Sequence, residues 1–379
     1  MDNREFELAE KAIIAGDEVM LESMLAIFRK EPRSRPWNNG RGNPHSFSEN
    51  DRHASARFII LRTHHIESWP KFTRFLQEWN TAGSVVAQFE MAADAIVNGD
   101  IAIVEQLLRE NPALVHQRSQ RLHRATLLHY AGSNGIEGYR QKAPTNIADI
   151  TRLLLDAGSD VNAYAEMYGR DSVFGLAATS IHPVNSGVLI PLLEVLLGYG
   201  AIIDDEPVKN SCINGCLANG RPAAAEFLAA RGGYINLEGA AGLGRLDLMQ
   251  QFFTADGSLT AEASAAQLRA GLCWACEYGH KAVVEYLLHR GVDVLVQFEG
   301  MQWAAFAGYA DIVQLFLERD MPLEMYNRWG STVLGAAVYG AEGDTSGRDH
   351  LPVLQLLLNA GANTNAYEGL KERIDKLLQ

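Results

Sequence analysis

Glu277 is the residue of this 379-residue chain whose setting most invites proton chemistry. It follows Trp274 by three positions, and Trp303 and Phe306 repeat that spacing one segment later. A carboxyl group among large rings has its ionised form disfavoured by desolvation, so it can act as a general acid or base near neutral pH. Tyr130, Tyr139, His182 and His350 are the other acid/base candidates by residue type. No complete catalytic signature accompanies them: there is no G-x-S-x-G, P-loop or H-E-x-x-H. The run Gly239-Ala240-Ala241-Gly242-Leu243-Gly244 has the wrong glycine spacing for a dinucleotide loop. Two cysteine pairs, Cys212/Cys216 and Cys273/Cys276, have the spacing of thiolate ligands. A whole structural segment separates them, about 20 Å at about 10 Å per packed helix layer, whereas zinc holds sulfur at about 2.3 Å. Adjacent His64 and His65 point about 100° apart on a helix and chelate poorly. The sequence therefore points to no metal and no cofactor.

Composition narrows the setting. Thirty-three Lys and Arg against 46 Asp and Glu give a net charge of −13, which repels phosphate backbones and anionic lipid. Nucleic acid and membrane surfaces are thus not expected partners. Four cysteines are too few for a disulfide framework and suit a reducing, cytoplasmic location. The most apolar window, residues 188–203, carries Glu194, a Pro and two Gly and is short for a membrane span.

The elements that must position these residues come from a repeat. LCWACEYGHKAVVEYLLHRGVDV around Gly279 and MQWAAFAGYADIVQLFLERDMPL around Gly308 share one frame: small residues before a Gly, then an apolar pair, then a turn twelve positions after that Gly. The frame also fits Gly99, Gly220 and Gly244. One position is always small: Ala95, Ala131, Ala177, Cys216, Ala240, Ala275, Ala304 and Ala337. There, neighbouring helices must approach closely. Leu pairs at 154–155, 196–197 and 287–288 supply the buried stripe of a second helix, and Gly158, Gly200, Gly291 and Gly361 suit left-handed C-caps.

This pattern resembles the ankyrin repeat, whose T-P-L-H-x-A signature opens a helix–turn–helix unit of about 33 residues. Thr126-Leu127-Leu128-His129-Tyr130-Ala131 matches it with Leu in place of Pro, and LLLDAGSDVNA and LLLNAGANTNA match the second-helix exit. The resemblance implies an all-α solenoid of about eight helix–turn–helix repeats with short finger hairpins, whose stacked units share one core. It covers roughly residues 87–379, with a degenerate copy near the N-terminus. The organisation expected is a degenerate repeat or cap at 1–30, a loop or linker at 31–53, a helical capping region at 54–86, the repeat array at 87–366 and a C-terminal capping helix at 367–379. Within 54–80, Phe58, Ile59, Leu61, Ile66, Trp69, Phe72, Phe75 and Leu76 suit two short helices turning at Ser68-Trp69-Pro70.

Three insertions interrupt the frame. From Gly135 to Gly158 is 23 positions where the regular frame takes 12. Longer stretches than the frame allows also follow Ala177 and Ala337. All three fall between the first and second helix of a unit, on one edge, where insertions commonly build binding surfaces. The first two offer Tyr139, Arg140, Lys142, Asn146 and His182, a set suited to a carboxylate or phosphate. In ankyrin geometry the inner groove would carry Tyr130, Ser133, Leu176 and Thr179 early in the array. Later it would carry Trp274, Glu277, Trp303, Phe306 and Tyr339, with Trp329 in the last finger above them and His350 as a further polar anchor. These aromatic rings line either a groove for an apolar or extended ligand, or core if the register slips by one. The reading favours a binding protein, not an enzyme, that takes a partner protein or peptide on its groove and insertion edge. The alternative is an enzyme or small-molecule binder that holds a small apolar ligand in the C-terminal groove, with Glu277 as acid/base and His350, Tyr130 and His182 assisting.

Overall fold

The computed structural model describes residues 60–204, 211–344 and 347–378. The cap expected at 1–30, the linker at 31–53 and the start of the next region, including Phe58 and Ile59, lie outside the described residues. The chain divides into two compact units at residues 202 and 203.

In the first unit a helical turn at 60–63 leads to α1 (Trp69–Trp79), which starts where the sequence changes to Ser68-Trp69-Pro70: Ser68 is extended and Pro70 occupies the first turn. A proline is tolerated there because its missing N–H would have had no helical partner. Phe72 and Phe75 of α1 pack with Ile60, Ile66 and Val86 as a separate apolar cluster. Helix α2 (Val85–Asn98) is capped by Ser84, whose Oγ accepts from Ala87 N, and ends at left-handed Gly99; α3 (Ile101–Glu110) turns back against it. The same helix pairing recurs in α4 (His129–Gly132) with α5 (Ile147–Asp156), and in α6 (Val173–Thr179) with α8 (Leu189–Gly198) after the short α7 (His182–Asn185). Between pairs the chain forms fingers. One is closed by an Arg118–Thr126 bridge, the other by β1 (Tyr164–Ala165) against β2 (Asp171–Ser172). Backbone bonds join the fingers sideways: Leu122 N donates to His65 O at 2.6 Å and Glu166 N to His123 O at 2.7 Å.

The second unit repeats the design. Its helices are α9 (Cys212–Ala218) and α10 (Pro222–Ala229), α11 (Leu237–Gly242) and α12 (Leu246–Met249), α13 (Ala265–Glu277) and α14 (Lys281–His289), α15 (Val294–Ala307) and α16 (Ala310–Leu317), and α17 (Val333–Gly343) and α18 (Leu351–Asn359), closed by α19 (Leu370–Leu377). The first helices α11, α13, α15 and α17 pack in succession, and one apolar core runs from Leu237 to Ile374. Caps again mark the boundaries: Ser264 and Gln267 form a reciprocal capping box on α13, and Thr332 caps α17. Contact across the recurring small positions is close. A Cβ at Gly340 would fall 1.9 Å from the Phe306 carbonyl oxygen, so only glycine lets α17 lie that near α15.

All eight small positions read from the sequence are buried, and Gly158, Gly200, Gly291 and Gly361 have positive φ. The fold is the expected all-α ankyrin solenoid. The four cysteines are buried thiols, and burial pushes the Cys273 thiol up to about 12, as suits small core residues. Among the described residues, no helix is long and apolar enough to cross a membrane.

Candidate functional site

Two places on the chain gather polar and aromatic groups, one in each unit.

In the second unit the frame sets side chains in a row. Counting two positions past the small residue gives Glu277 on α13, Phe306 on α15 and Tyr339 on α17, helices that pack in that order. Trp303 meets Phe306 edge-on with centroids 5.8 Å apart, and Phe306 stacks on Tyr339 at 6.1 Å. Trp303 and Phe306 are half-buried, while Tyr339 is 66% exposed. The three rings are therefore a continuous surface feature. Trp274 is half-buried and presses its ring against Gly242, where a Cβ would sit 3.2 Å from the Trp274 side chain. Burial pushes the Glu277 carboxyl up to about 7, so at neutral pH it is divided between its two forms.

One residue assigned to this region, His350, stands elsewhere. Trp329 is 67% exposed in the last finger and carries the Arg328 guanidinium over its ring at 4.1 Å. His350 is a correction: it is buried and caps α18 against Gly308, 3.1 Å from where a Cβ would be. The same device recurs within each unit. Asn146 Nδ2 donates to Gly99 O at 2.9 Å, and the His280 ring lies 2.5 Å from where a Cβ on Gly244 would be. The N-cap residue of a second helix thus seats on the left-handed glycine of the preceding pair. His350 follows from that packing and not from a ligand.

In the first unit the corresponding positions are closed. Of the residues expected to look into the groove, Tyr130, Ser133 and Leu176 are fully buried and Thr179 is half-buried. The reason is the first insertion, which turns inward. Its short 3-10 turn (Gly138–Arg140) delivers Glu137, Tyr139 and Arg140 to a cluster that α2 and the first finger complete. Arg140 Nη1 lies 2.6 Å from Glu90 Oε2 and its Nε 2.7 Å from Asp94 Oδ1. Arg121 Nε lies 2.6 Å from Glu137 Oε1 and its Nη2 2.6 Å from Glu90 Oε2. His123 Nε2 is 3.0 Å from Glu137 Oε1, and Tyr130 donates its hydroxyl proton to the same oxygen at 3.3 Å. Arg121 also donates to the Tyr139 hydroxyl and the His64 carbonyl, and stands over the Phe75 ring at 4.7 Å. Burial alone would raise both carboxyls, but Arg121 and Arg140 outweigh it and hold Glu90 and Glu137 below the usual carboxylate range. Burial lowers His65 to about 4 and His129 to about 3, so both are neutral at pH 7. His129, at the signature position, bonds Thr126 N at 3.1 Å.

The basic set expected on the insertion edge is corrected accordingly. Arg140 does bind carboxylates, but those of Glu90, Asp94 and Glu137 within the same unit, and the Tyr139 hydroxyl accepts from Arg121 there. Lys142 remains exposed, 2.5 Å from Asn98 Oδ1, and His182 is half-buried. The two neighbouring insertions do meet: Ser186 Oγ donates to Ala143 O at 2.6 Å. Sequence reasoning missed Glu90, Arg121, His123 and Glu137. One signal was available, Glu90 as a lone carboxylate on the apolar run VVAQFEMAADAIV, which calls for a buried partner.

No curated protein matches the chain. Among solved structures, the human ASB11 ankyrin repeat domain is similar at 19% identity, covering 72% of this chain and 98% of that one, with a TM-score of 0.36. Residues 272–368 match the family described as ankyrin repeats (3 copies), a span that holds α14 to α18 and the whole aromatic row. The chain thus carries ankyrin repeats at residues 272–368, and the helix pairs, left-handed glycines and fingers before that span repeat the same all-α construction.

Proposed function

We propose that the second unit binds an apolar, extended segment of a partner protein along the row Trp303, Phe306 and Tyr339. Ankyrin repeats generally mediate protein–protein interaction. The observation that carries the proposal is the contiguous ring surface, half-buried at one end and 66% exposed at Tyr339. Aromatic anchors of this kind dominate interface energetics because they remove large apolar area from water at small entropic cost. Glu277, near neutrality in its protonation, supplies a hydrogen-bond donor or acceptor to the partner backbone at the end of the row.

The test is capture of binding proteins from source-cell extract with the native protein and with a Phe306→Ser/Tyr339→Ser variant of matched melting temperature. Polypeptides retained by the first and lost from the second support the reading. Equal recovery on both overturns it. A second reading rests on Glu277 alone, since a carboxyl group near pH 7 is also what proton transfer requires. It would be carried by a small substrate whose turnover disappears in Glu277→Gln while peptide binding persists.

A further inference from the structure

We propose that a cationic cleft in the first unit is a second binding site, which takes a partner peptide carrying acidic side chains beside an apolar one. The cleft has a volume of about 610 Å³ and lies between α1, α2 and the first finger, within the size range of specific ligand sites. It is separate from the aromatic row and rests on different residues.

Its floor is built. The Arg121 guanidinium, fully buried, is fixed by Glu90, Glu137 and the His64 carbonyl, so the finger that ends the cleft is anchored. Its walls are apolar, with Phe75, Val86 and Phe89 on the two helices and Leu122, half exposed, on the finger. Its rim is basic. Arg74 on α1 and Arg118 and Arg124 on the finger line it, and Arg118 is held in place by donating to the Arg124 and Tyr164 carbonyls at 2.9 and 2.6 Å. Arg74 and Arg124 are exposed and make no ion pair among the described residues.

The carboxylates nearby are already engaged. Glu67 pairs with Lys71, Glu78 accepts from Gln120, and Glu90 lies between Arg121 and Arg140, which it shares with Glu137 and Asp94. Five cationic side chains (Lys71, Arg74, Arg118, Arg121 and Arg124) and two carboxylates (Glu67 and Glu90) line the cleft, so it presents an excess of positive charge on a chain of net charge −13. Such a local reversal of sign steers an anionic partner to one place and repels it elsewhere. Arg124 also holds a left-handed backbone at φ 53, a conformation that a glycine or asparagine would adopt more easily. An arginine there keeps its charge at the rim at a conformational cost. The mixture of apolar wall and basic rim fits a peptide, in which acidic and apolar side chains alternate, better than a lone anion, which would gain nothing from the wall.

The test is fluorescence anisotropy with a fluorescein-labelled decapeptide of alternating glutamate and leucine, titrated with the full chain. The expected result is saturable binding that weakens with added salt and is at least about tenfold weaker for a peptide with glutamine in place of glutamate. Arg74→Glu/Arg124→Glu is expected to lose at least about tenfold in affinity, with an unchanged melting temperature because both side chains are exposed and unpaired. Phe306→Ser/Tyr339→Ser should bind as the native chain does. Equal binding of the glutamine peptide, or no loss in the charge-reversed variant, overturns the proposal. So does displacement of the peptide by millimolar free glutamate or phosphate at constant ionic strength, which would assign the cleft to a small anion. Loss of binding in the Phe306→Ser/Tyr339→Ser variant would move the peptide to the aromatic row and equally overturn it.

Discussion

The inner faces of the two units start from the same frame and end in opposite states. In the first unit, groove positions Tyr130 and Ser133 are sealed beneath an insertion that brings Glu137 and Arg140 into contact with Glu90 and Arg121. In the second, Trp303, Phe306 and Tyr339 stay at the surface, and Arg348 and His350 of the corresponding insertion pack outside the row. Arg348 lies over Tyr309 and donates to its hydroxyl at 2.9 Å, and His350 seats on Gly308. A solenoid position thus becomes core or surface according to what its loop does, not according to its register. The closed face is held by ion pairs and the open one by close helix packing, and this difference can be broken at each side.

The largest effect is expected in the closed face. Replacing Glu137 by Gln leaves Arg121 short of a buried countercharge and should destabilise the first unit by about 3–5 kcal/mol, read by urea unfolding followed by circular dichroism. A loss below about 1 kcal/mol would show that water reaches the cluster. Gly340→Ala tests the open face: with a Cβ 1.9 Å from the Phe306 carbonyl, α15 and α17 must separate, at a cost of about 3 kcal/mol. Melting of the purified variant checks it, and a native melting temperature would mean that the helices can slide apart freely.

The pH responses should run in opposite directions. His65 and His129 bind a proton more weakly folded than unfolded. Their contribution is full above the unfolded value of 6.5 and is lost as the pH falls below it. Glu90 and Glu137, depressed by their arginines, are stabilising above the unfolded value of 4.5 and add a further loss in acid. Glu277 does the reverse: raised from 4.5 to about 7, it favours the fold fully below pH 4.5, and that contribution is lost as the pH rises through 7. Glu277→Gln should therefore be more stable than the native chain at pH 8, by on the order of 1–2 kcal/mol, and indistinguishable from it at pH 4. Denaturant titrations at the two pH values decide this, and an unchanged difference between them would show that Glu277 is better hydrated than its burial implies. The smallest effect is expected for Trp329→Ala, about 0.5 kcal/mol or less, because the ring is exposed; a large drop in melting temperature would place that finger in the core.

Much of this molecule is local and so was legible in the amino-acid order. The small position, the leucine pairs and the left-handed glycines recur because each helix pair must fit its neighbour in the same way. A contact that repeats along the chain leaves a repeat in the sequence. For the same reason the order of Glu277, Phe306 and Tyr339 along one face followed from counting. The caps at Ser84, Ser264 and Thr332 are likewise settled by residues within three positions of each other.

The first unit was different. Glu90, Arg121 and Glu137 are 31 and 16 positions apart and meet once, so nothing periodic announces them. The insertion that carries Glu137, Tyr139, Arg140 and Lys142 read as a charged, hydrogen-bonding loop, which is the composition of an exposed binding edge. Only folding shows that most of that charge is consumed internally, because whether an arginine faces water or a carboxylate depends on where a non-repeating loop comes to rest. The cleft beside it has the same origin: Arg74 and Arg124, fifty positions apart, share a rim because buried Arg121 anchors the finger beneath α1. Sequence determined the repeating scaffold through contacts that each unit makes alike. Tertiary structure decided which stretch of it is filled and which is open, since those contacts are singular and long-range, and their electrostatic cost is repaid only when all partners arrive together.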